Sequence, residues 1–92
     1  MFLGIHAREW VSPTSGLYTI EQIIQNHINA INGDPFDEDV VAVDWYIIPL
    51  LNPDGYEYSH THDRMWRKNR TPDSKGNTVN KLQVGIKHYL YK

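Results

Sequence analysis

The chain has 92 residues, a formal net charge of -2, 40% hydrophobic and 12% aromatic residues, and no cysteine. That length allows one domain with a limited core, and the weak net charge gives no electrostatic case for nucleic acid or an anionic membrane surface. Without cysteine there are neither disulfides nor thiolate metal ligands, and the redox compartment cannot be read from the chain.

No run approaches the length that spans a bilayer. The opening Met-Phe-Leu enters the polar GIHARE segment without the basic start and apolar stretch of a signal peptide. Residues 2–6, FLGIH, read as a short buried strand. Ser12-Pro13 is a helix-start signal, with Ser as N-cap and Pro at the first helical position. Leu17, Ile20, Ile23, Ile24, Ile28 and Ile31 then form the stripe of an amphipathic helix. Asn32-Gly33 ends it, because both residues tolerate the left-handed conformation of a C-cap. The acidic GDPFDED segment reads as a surface loop.

Val40 to Leu51, VVAVDWYIIPLL, is rich in β-branched and aromatic residues with Asp44 as its one charge. Such a run suits a strand covered on both faces, as in a parallel sheet. Strand, helix and strand in this order predict a βαβ unit with a right-handed crossover, hence an α/β fold. Asn52-Pro53-Asp54-Gly55 is a turn that also caps a helix, with Asn52 as N-cap, and a short helix is expected through about Asp63. Beyond Arg70, TPDSKGNTVNK is polar and turn-rich, and LQVGIKHYLY alternates at Leu82, Val84 and Ile86 in the manner of a strand.

Two constellations carry chemistry. His6 and Glu9 stand three apart; on a continuous strand they face opposite sides, so they meet at one ion only where the chain turns after His6. His nitrogen and Glu oxygen are both ordinary zinc ligands, and His6 falls at the carboxyl end of the first expected strand, where ligands of open α/β sheets sit. The spacing alone favours a solvated polar turn. Arg64, Arg67, Lys68 and Arg70, interleaved with Met65 and Trp66, suit the gripping of a substrate carboxylate or a developing oxyanion, although an isolated cluster of this kind reads first as a solvated basic face. His27 lies on the isoleucine stripe and reads as a partly buried core residue. His60 and His62 read as surface residues, His88 has no carboxylate near it, and nothing places Glu57 near His6.

Taken together, GIHAREWVSP (4–13), the helix after it and VDWYIIPLLNPDGYEYSHTHDRMWRKNR (43–70) resemble the zinc metallocarboxypeptidases of the carboxypeptidase A/B family. The resemblance implies part of a mixed, mostly parallel sheet with flanking helices. It implies one zinc ion, with His6 and Glu9 matching the first two metal ligands; a ligand set of two His and one Glu is the general pattern for carboxypeptidase A. Arg67 matches the residue that stabilises the oxyanion on the scissile carbonyl, and Arg8 and Arg64, with Arg67, match contacts to substrate. The implied activity is removal of single residues from peptide or protein C-termini, in a secreted enzyme. The implied partners are therefore peptide C-termini, with neither nucleic acid nor membrane.

The match also has gaps. The substrate-clamping Asn-Arg pair is expected where the chain reads GNTVNKLQVGIKHYLYK, and the third zinc histidine, the pocket tyrosine and the general-base glutamate have no counterpart. The expectation is thus a partial catalytic domain over residues 1–70 and a divergent tail over 71–92. Such a truncated chain is expected to be inactive alone. The alternative is a non-catalytic remnant or a fragment that binds a peptide or partner.

Overall fold

The structure, a computed structural model, describes residues 1–72 and 74–77. The strand expected over residues 82–91, and His88 with it, lies outside the described residues.

Three helices follow one another: α1 (Val11–Asn32), α2 (Glu38–Val41) and α3 (Pro53–Thr61). α1 begins two residues earlier than Ser12-Pro13 predicts, at Val11 instead of Pro13. Trp10 stands at its N-cap without a side-chain bond, because the Ser12 hydroxyl is engaged elsewhere and accepts from Gly4 N–H at 2.9 Å. Pro13 still sits in the first turn, where its missing N–H costs nothing. The C-cap is as expected: Gly33 takes φ 77° and ψ 18°, and its N–H reaches the Asn29 carbonyl.

The expected strands shrink to a short parallel pairing. Phe2 bridges Ile48, with Ile48 N–H on the Met1 carbonyl and Leu3 N–H on the Ile48 carbonyl, both at 3.0 Å. A regular parallel ladder would next place Leu50 N–H on the Leu3 carbonyl. Instead Leu51 N–H bonds Leu3 at 2.9 Å and Asn52 N–H bonds Gly4 at 3.1 Å, so one extra residue is inserted after the bridge. Gly4 explains the slip: its φ of 64° leaves the extended region, and a Cβ there would lie 3.2 Å from the Leu50 Cα. The first third of VVAVDWYIIPLL is also corrected. Asp37 accepts from Asp39 N–H and caps α2, which draws Val40 and Val41 into a helix. No regular strand forms among the described residues, although the two extended segments joined through α1 keep the order of a βαβ unit.

α1 crosses the paired segments at Gly16, whose missing side chain makes room for Leu3 and lets Pro49 approach. Pro13 and Gly16 are its buried residues. The isoleucine stripe is apolar on one side as the periodicity predicts, but it is not covered: Leu17, Ile24 and Ile31 are 61%, 54% and 84% exposed. Ile23, Ile24, Ile28 and Ile31 instead line an open groove with Val43 and Trp45, and His27 lies in it, half-buried, with Nδ1 2.9 Å from the Ile23 carbonyl. None of the described helices is long and apolar enough to cross a membrane.

α3 starts as the sequence predicts and ends slightly sooner, at Thr61. The Asn52 side chain accepts from Gly55 N–H at 3.1 Å, with Pro53 at the first helical position.

Candidate metal and substrate site

The polar break after the first extended segment is a turn. Glu9 N–H donates to the His6 carbonyl at 3.1 Å, and Ser12 N–H to the Glu9 carbonyl at 3.0 Å, so residues 6–9 fold over into α1. This is the condition on which His6 and Glu9 depend for convergence. The turn is held from two sides. Ala7, 1% exposed, receives the Ser59 hydroxyl on its carbonyl at 3.2 Å and donates its N–H to the Arg67 carbonyl at 3.3 Å.

The segment after α3 is brought to this turn by Asn52, which is 2% exposed. Its Nδ2 donates to the Ile5 carbonyl and the Lys68 carbonyl, each at 3.1 Å, while Oδ1 accepts from Gly55. One amide thus ties the end of the first extended segment, the start of α3 and residues 66–70 together. An Asn offers two N–H groups and a carbonyl oxygen, and all of these are used here. Gly55 makes the approach possible, since a Cβ on it would collide with the Lys68 carbonyl.

The basic cluster divides. Arg64 Nη1 donates to the Arg8 carbonyl at 2.9 Å and its guanidinium lies 3.8 Å from the Trp10 ring centroid. Arg67 Nη2 lies 2.9 Å from His6 Nε2. Arg70 turns the other way, packing over Tyr58 at 3.8 Å and Trp66 at 5.0 Å. Arg8, Arg64 and Arg67 therefore stand beside the His6–Glu9 turn, and Arg70 does not. The Lys68 side chain is exposed. His6 Nδ1 is buried and has no hydrogen-bond partner, whereas Glu9 is exposed. Among the described residues, no three His, Cys, Asp or Glu side chains gather closely enough to hold a metal ion.

His60 and His62 are exposed, as expected, and point apart, but each is occupied. His60 stacks on Trp10 with centroids 3.8 Å apart, and His62 stacks on Tyr58 at 4.6 Å. Trp10 anchors the turn further by donating Nε1–H to the Ser59 hydroxyl at 2.8 Å. Trp10→Phe keeps the ring stacking and removes that donor; we expect a loss of about 1 kcal/mol in urea unfolding with an unchanged denaturant slope.

The sequence marks Asn52 only as a helix cap and gives no sign of the roles of Ser59 and Trp10. The NPDG signal identifies a cap, but nothing local to it reveals bonds to carbonyls at positions 5 and 68.

A family model described as "Zinc carboxypeptidase" matches residues 3–86 and so runs past Arg70. Zinc carboxypeptidase A 1 of Drosophila melanogaster is 44% identical over 69 residues, which is 75% of this chain and 15% of the relative. Carboxypeptidase O of Homo sapiens is 41% identical over 76 residues, 83% of this chain and 20% of the relative. Inactive metallocarboxypeptidase ECM14 of Saccharomyces cerevisiae is 40% identical over 67 residues, 73% of this chain and 15% of the relative. The chain spans a fifth or less of the length of these relatives. Among solved structures, bovine thrombin-activatable fibrinolysis inhibitor in complex with tick carboxypeptidase inhibitor superposes with a TM-score of 0.66 at 38% identity, covering 80% of this chain and 22% of that one. Its fold is α/β. On the matched family model and these relatives, the chain belongs to the zinc carboxypeptidase family.

Proposed function

We propose that this chain carries one wall of the active site of a zinc-dependent metallocarboxypeptidase that hydrolyses C-terminal residues from peptides. In this reading His6 and Glu9 are two ligands of a single zinc ion, Arg67 steadies the oxygen of the scissile carbonyl, and Arg8, Arg64 and Arg67 contact the peptide. The observation that carries it is the His6 ring: it sits on a turn with Nδ1 buried and unpartnered, and an arginine lies 2.9 Å from its other nitrogen. A buried imidazole nitrogen without a protein partner is the kind of group a metal ion satisfies. Imidazole and carboxylate are both ordinary zinc donors.

When bound, zinc supplies Lewis-acid polarisation of the scissile carbonyl and activation of water. The chain's own residues bind and orient. Arg67 presents a planar set of N–H donors at the exposed edge of the turn, suited to an oxygen that gains negative charge. Arg64 spends one N–H on the Arg8 carbonyl, which fixes the loop, and keeps others for substrate.

A catalytic zinc takes three protein ligands, and this wall contributes two. The 92-residue chain is therefore expected to bind Zn2+ weakly and to release no C-terminal residues from peptides. Calorimetric titration should show binding that weakens at least about tenfold in His6→Ala. Equal binding by the wild type and His6→Ala overturns the ligand assignment. Chelator-sensitive release of C-terminal residues by the purified chain overturns the expectation of inactivity. A relative named as an inactive metallocarboxypeptidase, 40% identical over 67 residues, favours a second reading in which this wall binds peptides without hydrolysing them.

A further inference from the structure

His6 has one lone pair and two claimants for it. A neutral imidazole carries a proton on one ring nitrogen and an in-plane lone pair on the other. Arginine has N–H donors only and accepts nothing. The 2.9 Å contact between Arg67 Nη2 and His6 Nε2 therefore makes Nε2 the acceptor. The proton then lies on Nδ1, the buried atom that has no partner.

A metal at Nδ1 needs the opposite tautomer. The proton would move to Nε2, where it would face the donors of Arg67. Ligating histidines ordinarily give their second N–H to an acceptor such as a carboxylate, carbonyl or water. A guanidinium cannot play that part. Arg67 itself is exposed and free to swing, because its backbone is held independently by its carbonyl on Ala7 N–H.

We infer that Arg67 guards the metal-binding nitrogen of His6: its side chain holds His6 in the Nδ1–H form, and metal binding and the Arg67–His6 contact exclude one another. Loading the ion thus frees the Nη2–H that faced His6, so that the whole guanidinium can turn to a substrate oxygen once the metal is present. This rests on the reading of His6 as a ligand, and it adds an order of events at that site.

The test uses the full 92-residue chain, wild type, Arg67→Met and, as a charge control, Lys68→Met. Long-range proton–nitrogen correlation spectra of the metal-free proteins report the His6 tautomer. The expected result is Nδ1–H in the wild type and Lys68→Met, and predominantly Nε2–H in Arg67→Met. Titration with Zn2+ alone is expected to bind about tenfold more tightly in Arg67→Met than in Lys68→Met, and to shift the Arg67 guanidinium resonances of the wild type. An Nε2–H ring in the metal-free wild type, or a tautomer that Arg67→Met leaves unchanged, overturns the guard. Equal tightening in both variants makes the effect one of net charge and overturns the competition. Zinc that leaves His6 resonances unmoved in every protein overturns the ligand reading instead, and the metal-free spectra separate the two failures.

Discussion

Replacing Asn52 by Ala is expected to remove about 3–4 kcal/mol of stability, the largest loss from any single polar side chain in the described structure. Three backbone groups lose their partner at once: the buried Gly55 N–H and the part-buried carbonyls of Ile5 and Lys68. Each lost bond costs more than the gain from making it, since a polar group shielded from water and left without a partner keeps its desolvation penalty. A chain of this length is stable by roughly 5–14 kcal/mol in general, and the exposed isoleucines of α1 place this one toward the lower end. Asn52→Asp separates the two roles of the residue. Aspartate is as good an N-cap as asparagine, so the bond from Gly55 survives. Its second oxygen, however, faces two carbonyls where Nδ2 had donated. Asn52→Asp should therefore be at least as destabilising as Asn52→Ala in urea unfolding at neutral pH. Near-wild-type stability for the aspartate variant would reduce Asn52 to a helix cap and nothing more.

That contrast also explains which parts of the molecule were legible beforehand. Helix caps at Gly33 and Asn52 depend on neighbours within a turn, and both were readable from the sequence. The partners of Asn52 at positions 5 and 68 are distant in the chain, and no local pattern encodes them. Ser12 shows the reverse error. It has the right chemistry for a cap, yet the hydroxyl is taken by Gly4, eight residues back, and the helix starts without it. In VVAVDWYIIPLL the apolar run reads as strand throughout, and the cap at Asp37, in a segment that reads as a surface loop, draws Val40 and Val41 into α2. The isoleucine stripe of α1 marked which face is apolar. It carries no information on what covers that face, and the buried residues of α1, Pro13 and Gly16, lie in the first turns. At the candidate site, the turn that brings Glu9 back toward His6 follows from the polar break at Ala7-Arg8. The 2.9 Å approach of Arg67 to His6 does not; it depends on the Asn52 tie and on the bare backbone of Gly55.

Gly55 therefore makes the second large effect, and its direction runs against helix propensity. It is the third residue of α3, where alanine is intrinsically the better helix former by up to about 1 kcal/mol. A Cβ at this position would lie 2.5 Å from Asn52 Nδ2 and 2.7 Å from Oδ1, and closer still to the Lys68 carbonyl. These atoms cannot retreat separately, because they are bonded to one another. We expect Gly55→Ala to destabilise the chain by about 2 kcal/mol net, the overpacking cost exceeding the propensity gain. The strain has one other outlet: residues 66–70 can move off α3 and take Arg67 away from His6. Unfolding measurements and the His6 tautomer in the same variant register both outcomes. If the segment yields, the stability loss falls below about 1 kcal/mol and the His6 ring shifts toward the Nε2–H form, as it does when Arg67 is removed. Full stability combined with an unchanged His6 ring would mean that the close approach at Gly55 holds neither the fold nor the site. The bare backbone at Gly55 and the guanidinium at Arg67 are thus two ends of one arrangement, in which the packing of a short helix determines how closely an arginine approaches the candidate metal ligand.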